Sequence, residues 1–221
     1  MQPVVLSWSS GKDSAMALYE LRKSGEYEVV SLLTTVSSQY GRVSMHGVRV
    51  ALLKAQAESL GIPLDMIPLS GHPSNEEYEN KMRETLQCYK NRGINKIAFG
   101  DIFLEDLRAY RQNKLSAIGM QALFPLWKRD TGELFSSIIA SGFKSVITCV
   151  DTEALSMSFA GRIIDRTLQN DLPATVDACG ENGEYHSFTY AGPLFRSQIG
   201  FEVGEKVLRD NRFYYCDLIP A

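Results

Sequence analysis

The feature that most constrains this chain is a change of period near its start. Val4-Val5-Leu6-Ser7-Trp8 is a short run of β-formers without Gly or Pro, which reads as a strand. Ser9-Ser10-Gly11-Lys12-Asp13-Ser14 follows, and beyond it Ala15, Leu18, Tyr19 and Leu21 fall at helical intervals. A small-residue turn feeding a helix start is a natural anion cradle. The first helical amides have no partner inside the helix, and the macrodipole places partial positive charge there. Gly11 permits close approach of the backbone to a phosphate, and Lys12 adds a full charge. A Ser-rich turn with Asp as a helix cap would account for the same residues.

The same alternation continues. Strands are expected over Glu28–Val36, Pro63–Leu69 and Lys96–Gly100, with helices over Asp13–Lys23, Val48–Leu60, Ser74–Arg92 and Glu105–Ile118. Ser74-x-x-Glu77 has the form of a capping box. A βαβαβαβ order implies an α/β fold with a doubly wound parallel sheet. Ligands of such sheets bind beyond the carboxyl ends of the strands, at a switch point. The polar stretches Ser9–Ser14, Thr34–Ser38 and Gly100-Asp101 therefore converge. The first expected domain is 1–127. Residues 128–221 are expected to form a smaller α+β domain. In it, helices cover 131–141 and 160–169, and strands cover 144–150, 185–190, 201–208 and 212–219.

The 221 residues are 44% hydrophobic and 22% charged, which suits a folded domain rather than a disordered chain. A net charge of −3 argues against a broad nucleic-acid surface. No stretch approaches the ~18 apolar residues that span a bilayer, and Met1-Gln2-Pro3-Val4 has no signal-peptide character. Cys88, Cys149, Cys179 and Cys216 are widely spaced, so four buried, reduced thiols in a cytoplasmic protein are expected, and no Cys-x-x-Cys metal site. The chain is compatible with a homo-oligomer.

The turn is not a Walker A loop, because Asp13 follows Gly11-Lys12 where Ser or Thr should stand, and Leu6 occupies the first glycine position. Ser-x-Gly-x-Asp-Ser, Ser9–Ser14, resembles the PP-loop of the ATP pyrophosphatases, which split ATP between the α and β phosphates. A second unusual block is Gly180-Glu181-Asn182-Gly183-Glu184-Tyr185-His186. A turn explains its glycines and Asn182 but does not require Glu181, Glu184 and His186. Together with Met45-His46-Gly47, Phe99-Gly100-Asp101-Ile102, Pro125-Leu126-Trp127 and Gly192-Pro193-Leu194-Phe195, these blocks resemble the diphthine–ammonia ligase family in order and over residues 7 to 195.

The resemblance implies an adenine nucleotide α-hydrolase-like fold, with 1–127 as the ATP-binding domain and 128–221 as the substrate-binding domain, and an ATP-dependent amidation. A carboxylate attacks the α-phosphate, pyrophosphate leaves, and ammonia displaces AMP from the acyl-adenylate. The partners implied are ammonia or ammonium and a carboxylate, either a small acid or diphthine on an elongation factor; the cofactors are ATP and Mg2+. The segment Phe103-Leu104-Glu105-Asp106-Leu107 looks more like bacterial members, for which the acid would not be diphthine. On this reading Ser9, Ser10, Gly11, Lys12, Asp13, Ser14, Thr34, His46 and Gly100 bind the nucleotide, and Asp13 and Asp101 hold magnesium. Lys12, Glu181, Glu184 and His186 are the catalytic candidates, one Glu binding or deprotonating ammonium. Asn182, Arg108 and Arg111 are candidates for the acid substrate. A tRNA-modifying ATP pyrophosphatase and an adenine-nucleotide-binding protein without turnover are the alternatives. The first commonly needs paired cysteines and a basic face, and the second has no need of the Glu181–His186 block.

Overall fold

A computed structural model describes residues 1–221. Its first half is a six-stranded sheet. Five parallel strands run in the order β4 (Leu64–Leu69), β2 (Tyr27–Ser37), β1 (Gln2–Ser7), β5 (Lys96–Ala98), β6 (Gln121–Leu123). The two-residue β3 (Arg42–Val43) lies antiparallel on the end of β2. The chain leaves β1 toward β2 and β4, then returns to β5 on the opposite side of β1. The switch point therefore lies at the carboxyl ends of β1 and β5.

The residues of β1 explain why it is central. Val4, Val5 and Leu6 are all fully buried. Val4 and Leu6 join one core, and Val5 joins the other, as alternation across a strand covered on both faces requires. Helices α1 (Lys12–Ser24) and α2 (Val50–Leu60) pack in the first core; α3 (Asn75–Asn91) and α4 (Glu105–Ser116) pack in the second, through Leu86, Tyr89 and Leu115. The first core continues into the second half of the chain. There α5 (Thr131–Ala140) and α6 (Arg166–Asp171) accompany an antiparallel sheet in the order β8 (Tyr185–Ala191), β7 (Lys144–Asp151), β10 (Phe213–Pro220), β9 (Phe201–Arg209). Leu6, Leu18 and Leu52 share one apolar cluster with Phe135, Val146 and Phe188. At about 1.5–3 kcal/mol for each fully buried large side chain, this shared core holds the two halves together far more strongly than surface contacts do.

Two expectations are corrected. Residues 160–169 are not one helix. The Gly161 amide donates to the Ile147 carbonyl, the Ile147 amide to the Arg162 carbonyl and the Ile164 amide to the Ser145 carbonyl, so this segment turns at Gly161 and runs along β7, and α6 starts only after Asp165, whose carboxylate accepts from the Leu168 amide at 2.8 Å. Cys88 is exposed, whereas Cys149, Cys179 and Cys216 are buried; all four are free thiols. The apolar run 122–127 is a strand only to Leu123, because Pro125 cannot extend it. No helix is long and apolar enough to cross a membrane.

Candidate active site

The loop between β1 and α1 lies where the two sheets meet. Gly11 is the N-cap of α1 and offers no side-chain cap. The Lys12 amide donates to Ser187 Oγ at 3.2 Å, and the Gly11 amide to Ser9 Oγ at 3.3 Å. Ser14 Oγ donates to the Gly11 carbonyl at 2.9 Å and lies 3.3 Å from Ser9 Oγ. The Asp13 and Ser14 amides, in the first turn of α1, have no protein acceptor. They are the free donors that an anion at a helix start uses. Ser10 has φ 73°, its hydroxyl is buried without a partner, and its carbonyl accepts from the Thr189 amide at 2.9 Å.

Two glycines make room. A Cβ on Gly11 would lie 3.1 Å from His46 Cε1 and 3.2 Å from the Ser187 carbonyl oxygen. A Cβ on Gly100 would lie 3.0 Å from the Asp13 carbonyl carbon and 3.1 Å from the Ser14 amide nitrogen. Gly100 thus brings the end of β5 against the first turn of α1.

Lys12 does not project freely toward the cleft. It is 2% exposed, and its Nζ donates to Asp13 Oδ2 at 2.9 Å and to the Cys179 carbonyl, 4.8 Å from the centre of the Tyr185 ring. Burial alone would lower the ammonium's pKa, but the Asp13 carboxylate and the Tyr185 and Cys179 side chains hold it above its ordinary value. Lys12 is therefore charged, beneath the loop. Asp13 Oδ1 is buried with no hydrogen-bond partner, and burial raises the carboxyl's pKa against the pull of Lys12.

Asp101, directly after Gly100, is in an ion pair with Arg111 at 2.6 Å, and burial raises its pKa despite that partner. The Arg111 guanidinium also stacks over Phe99 at 4.2 Å. Arg108 instead lies over Trp127 at 4.4 Å and Phe124 at 5.3 Å. Thr34 is buried, and its hydroxyl donates to the Trp8 carbonyl at 2.7 Å, so it braces the loop.

The Gly180–His186 block lies opposite. Glu181 Oε1 accepts from the Ile102 amide at 2.7 Å. Burial, with the charges of Asp13 and Asp101, pushes its carboxyl up to about 7. Glu184 is buried and serves the turn: Oε1 accepts from the Asp177 amide at 2.9 Å and from Asn182 Nδ2 at 3.0 Å, while Oε2 has no partner. Asn182 is otherwise exposed. The His186 and His46 rings lie tilted at 35° to each other with centroids 4.6 Å apart, and His46 Nδ1 lies 3.2 Å from the Ser187 carbonyl. Burial first, then Lys12, lowers His186 to about 4; burial and His186 lower His46 well below its ordinary value. Both imidazoles are neutral at pH 7.

Of the residues singled out in the sequence, Ser9–Ser14, His46, Gly100, Asp101, Arg111, Glu181 and His186 gather around one seam. Arg108 packs on aromatic rings, and Asn182 and Glu184 support the opposing turn. Three further residues build the seam without having been singled out: Gln56, Asp177 and Ser187. Asp177 Oδ2 accepts from the Cys179 and Glu181 amides at 3.0 and 2.9 Å, an Asx turn that the pattern Asp177-x-x-Gly180 announces. Gln56 sits among Leu52, Ala57 and Leu60 on the apolar stripe of α2, and a polar residue there needs buried partners. Nothing local in the sequence marks Ser187.

A magnesium ion would not be caged by protein here. No group of three or more His, Cys, Asp or Glu is assembled into a protein cage. An ion carried by phosphates needs only one or two carboxylates, and the orphaned, buried Oδ1 of Asp13 fits that demand. Asp101 would have to share its carboxylate with Arg111.

Residues 1–122 match the diphthamide synthase N-terminal domain, and residues 130–218 match the diphthamide synthase C-terminal domain. Among individual proteins, the diphthine–ammonia ligase of Danio rerio is 23% identical over 92% of this chain and 88% of its own length. That of Bos taurus is 26% identical over 90% of this chain and 82% of its own. That of Homo sapiens is 25% identical over 90% and 83%. With its free amides at a helix start facing a carboxylate-bearing turn, and with both domain matches in sequence order, the chain belongs to the diphthamide synthase family.

Proposed function

We propose that the protein is an ATP-dependent, AMP-forming acid–ammonia ligase. The reading rests on one juxtaposition: a helix start with free Asp13 and Ser14 amides faces Glu181, a carboxyl raised to about 7. The names of its relatives support ligation of ammonia to diphthine. The segment 1–127 would carry ATP and 128–221 the acid.

In the first step a carboxylate oxygen of the acid attacks the α-phosphorus, and the bond to the bridging oxygen of the β-phosphate breaks. Pyrophosphate leaves toward the Asp13 and Ser14 amides, whose dipoles stabilise the growing charge. Lys12 supports the loop's potential from below and, against the effect of burial, favours the ionised form of Asp13. Asp13 would hold Mg2+ on the phosphates, with Asp101 as second carboxylate; the ion neutralises phosphate charge. In the second step ammonia attacks the acyl carbon, the bond to AMP breaks, and one proton leaves the nitrogen. Glu181, unprotonated above about pH 7, takes that proton. The neutral rings of His46 and His186 carry no positive charge that would repel ammonium from the seam.

A screen of carboxylic acids, diphthine-bearing elongation factor among them, with ATP, Mg2+ and ammonium tests this. AMP and pyrophosphate should form in equal amounts, only with acid present, and not with Asp13→Ala. ATP that binds but stays intact with every acid would make the protein a nucleotide binder without turnover.

A further inference from the structure

We infer that Gln56 is a positioning residue for the phosphate loop: it is the buried clamp through which α2 and strand β8 fix the backbone at Ser10. The inference rests on the reading of this loop as the ATP site. Gln56 is fully buried, and every part of its amide is used. Oε1 accepts from Trp8 Nε1 at 2.8 Å; Nε2 donates to the Ser10 carbonyl at 2.9 Å and to the Thr189 carbonyl at 2.6 Å. The Thr189 amide donates to the same Ser10 carbonyl at 2.9 Å. One loop carbonyl is thus gripped from α2 and from the C-terminal sheet at once.

That grip falls where it is needed. Ser10 holds φ 73°, a left-handed conformation that costs a non-glycine residue on the order of 1–2 kcal/mol. Such a residue persists only where its surroundings over-determine it. The two hydrogen bonds to its carbonyl supply that determination, and the Thr34 hydroxyl on the Trp8 carbonyl secures the residue before the turn. The orientation of the Ser10–Gly11 peptide sets where α1 begins, and so where the Asp13 and Ser14 amides are held. Without the Gln56 amide the Ser10 carbonyl is held by the Thr189 amide alone, and Trp8 Nε1 loses its buried acceptor. Gln56 contacts the loop only through the Trp8 side chain and the Ser10 carbonyl, so its effect on ATP is indirect.

The test is calorimetric binding of ATP to the full chain. Gln56→Met keeps length and apolar fit but no donor, and should bind ATP about tenfold more weakly or worse, with an unchanged far-ultraviolet spectrum. Gln56→Glu supplies the discriminating readout. A carboxyl facing the Ser10 and Thr189 carbonyls donates when protonated and repels both when ionised. Its affinity, divided by that of the wild type at the same pH, should therefore recover as pH falls from about 8 to about 5.5. The wild-type reference removes the titration of Glu181, Asp13, Asp101, His46 and His186. ATP affinity of Gln56→Met equal to wild type, or a Gln56→Glu ratio that does not change with pH, overturns the inference. The ratio alone decides if Gln56→Met does not fold. A wild type that binds no ATP overturns instead the reading of the loop.

Discussion

Glu181 and Glu184 stand on one turn, yet their carboxylates meet different partners. Glu184 is tied to the Asp177 amide and Asn182, inside the turn it shapes. Glu181 reaches out of the turn to the Ile102 amide, between Asp13 and Asp101 in charge terms, and titrates near 7. For the proposed amidation, this difference makes Glu181 rather than Glu184 the proton acceptor. Glu181→Gln keeps the acceptor oxygen for Ile102 but cannot take a proton. Turnover should fall about 10²–10⁴-fold, and the rise in rate through about pH 7 should vanish from the pH profile. The same substitution should stabilise the fold. Its folded pKa lies above that of a free Glu, so Glu181 favours the fold below the free value and loses that contribution as pH rises through about 7. A melting temperature at pH 8 that drops in Glu181→Gln, together with an unchanged pH profile, would remove Glu181 from the chemistry.

At the scale of the elements, α3 shows how a local signal becomes a measurable term. Ser74 Oγ accepts from the Glu77 amide at 3.1 Å, which is one half of a capping box. The other half is diverted: the Glu77 carboxylate takes the Ser70 amide at 2.8 Å and the Ser70 hydroxyl at 2.7 Å, tying the loop after β4 to the helix. Ser74→Ala should cost about 1 kcal/mol in urea unfolding, with an unchanged m-value. Elements with such local marks were legible in the sequence. The β1-to-α1 switch, the Ser74 cap and the Asp210-Asn211 turn, where both residues have φ 50°, are each specified within a few residues. The helix expected over 160–169 failed because Ala160, Ile164 and Leu168 have helical spacing while Gly161 and Ile164 bond to β7, far away in sequence. The site divides in the same way. The loop and the Gly180–His186 turn are visible as motifs. The contacts from Ser187, Thr189 and Cys179 that join them depend on how the sheets pack.

The whole molecule is held as one unit by the same seam. The core containing Leu6 and Leu52 also contains Phe188 and Cys216, so neither half can unfold and leave the other's apolar surface covered. A charged clasp closes the far side. Asp217 on β10 accepts from Arg49 at 2.5 Å and from Arg42 at 2.6 Å, joining the last strand to β3 and to the start of α2. Burial alone would raise the Asp217 carboxyl, but these two arginines draw it down to about 2. Its folded pKa is below the free value, so the clasp stabilises the protein at neutral pH and fades as pH falls toward about 2. Both arginines are partly in water, with Arg49 40% exposed, so solvent screening limits the contribution to about 1 kcal/mol. Asp217→Asn should therefore lower the melting temperature by a few degrees at pH 7, with the difference from wild type shrinking in acid. Calorimetry should show one transition for both proteins, because the clasp reinforces a shared core and does not create it. Two separated transitions in Asp217→Asn would mean that the ion pairs, and not the apolar cluster, couple the sheets.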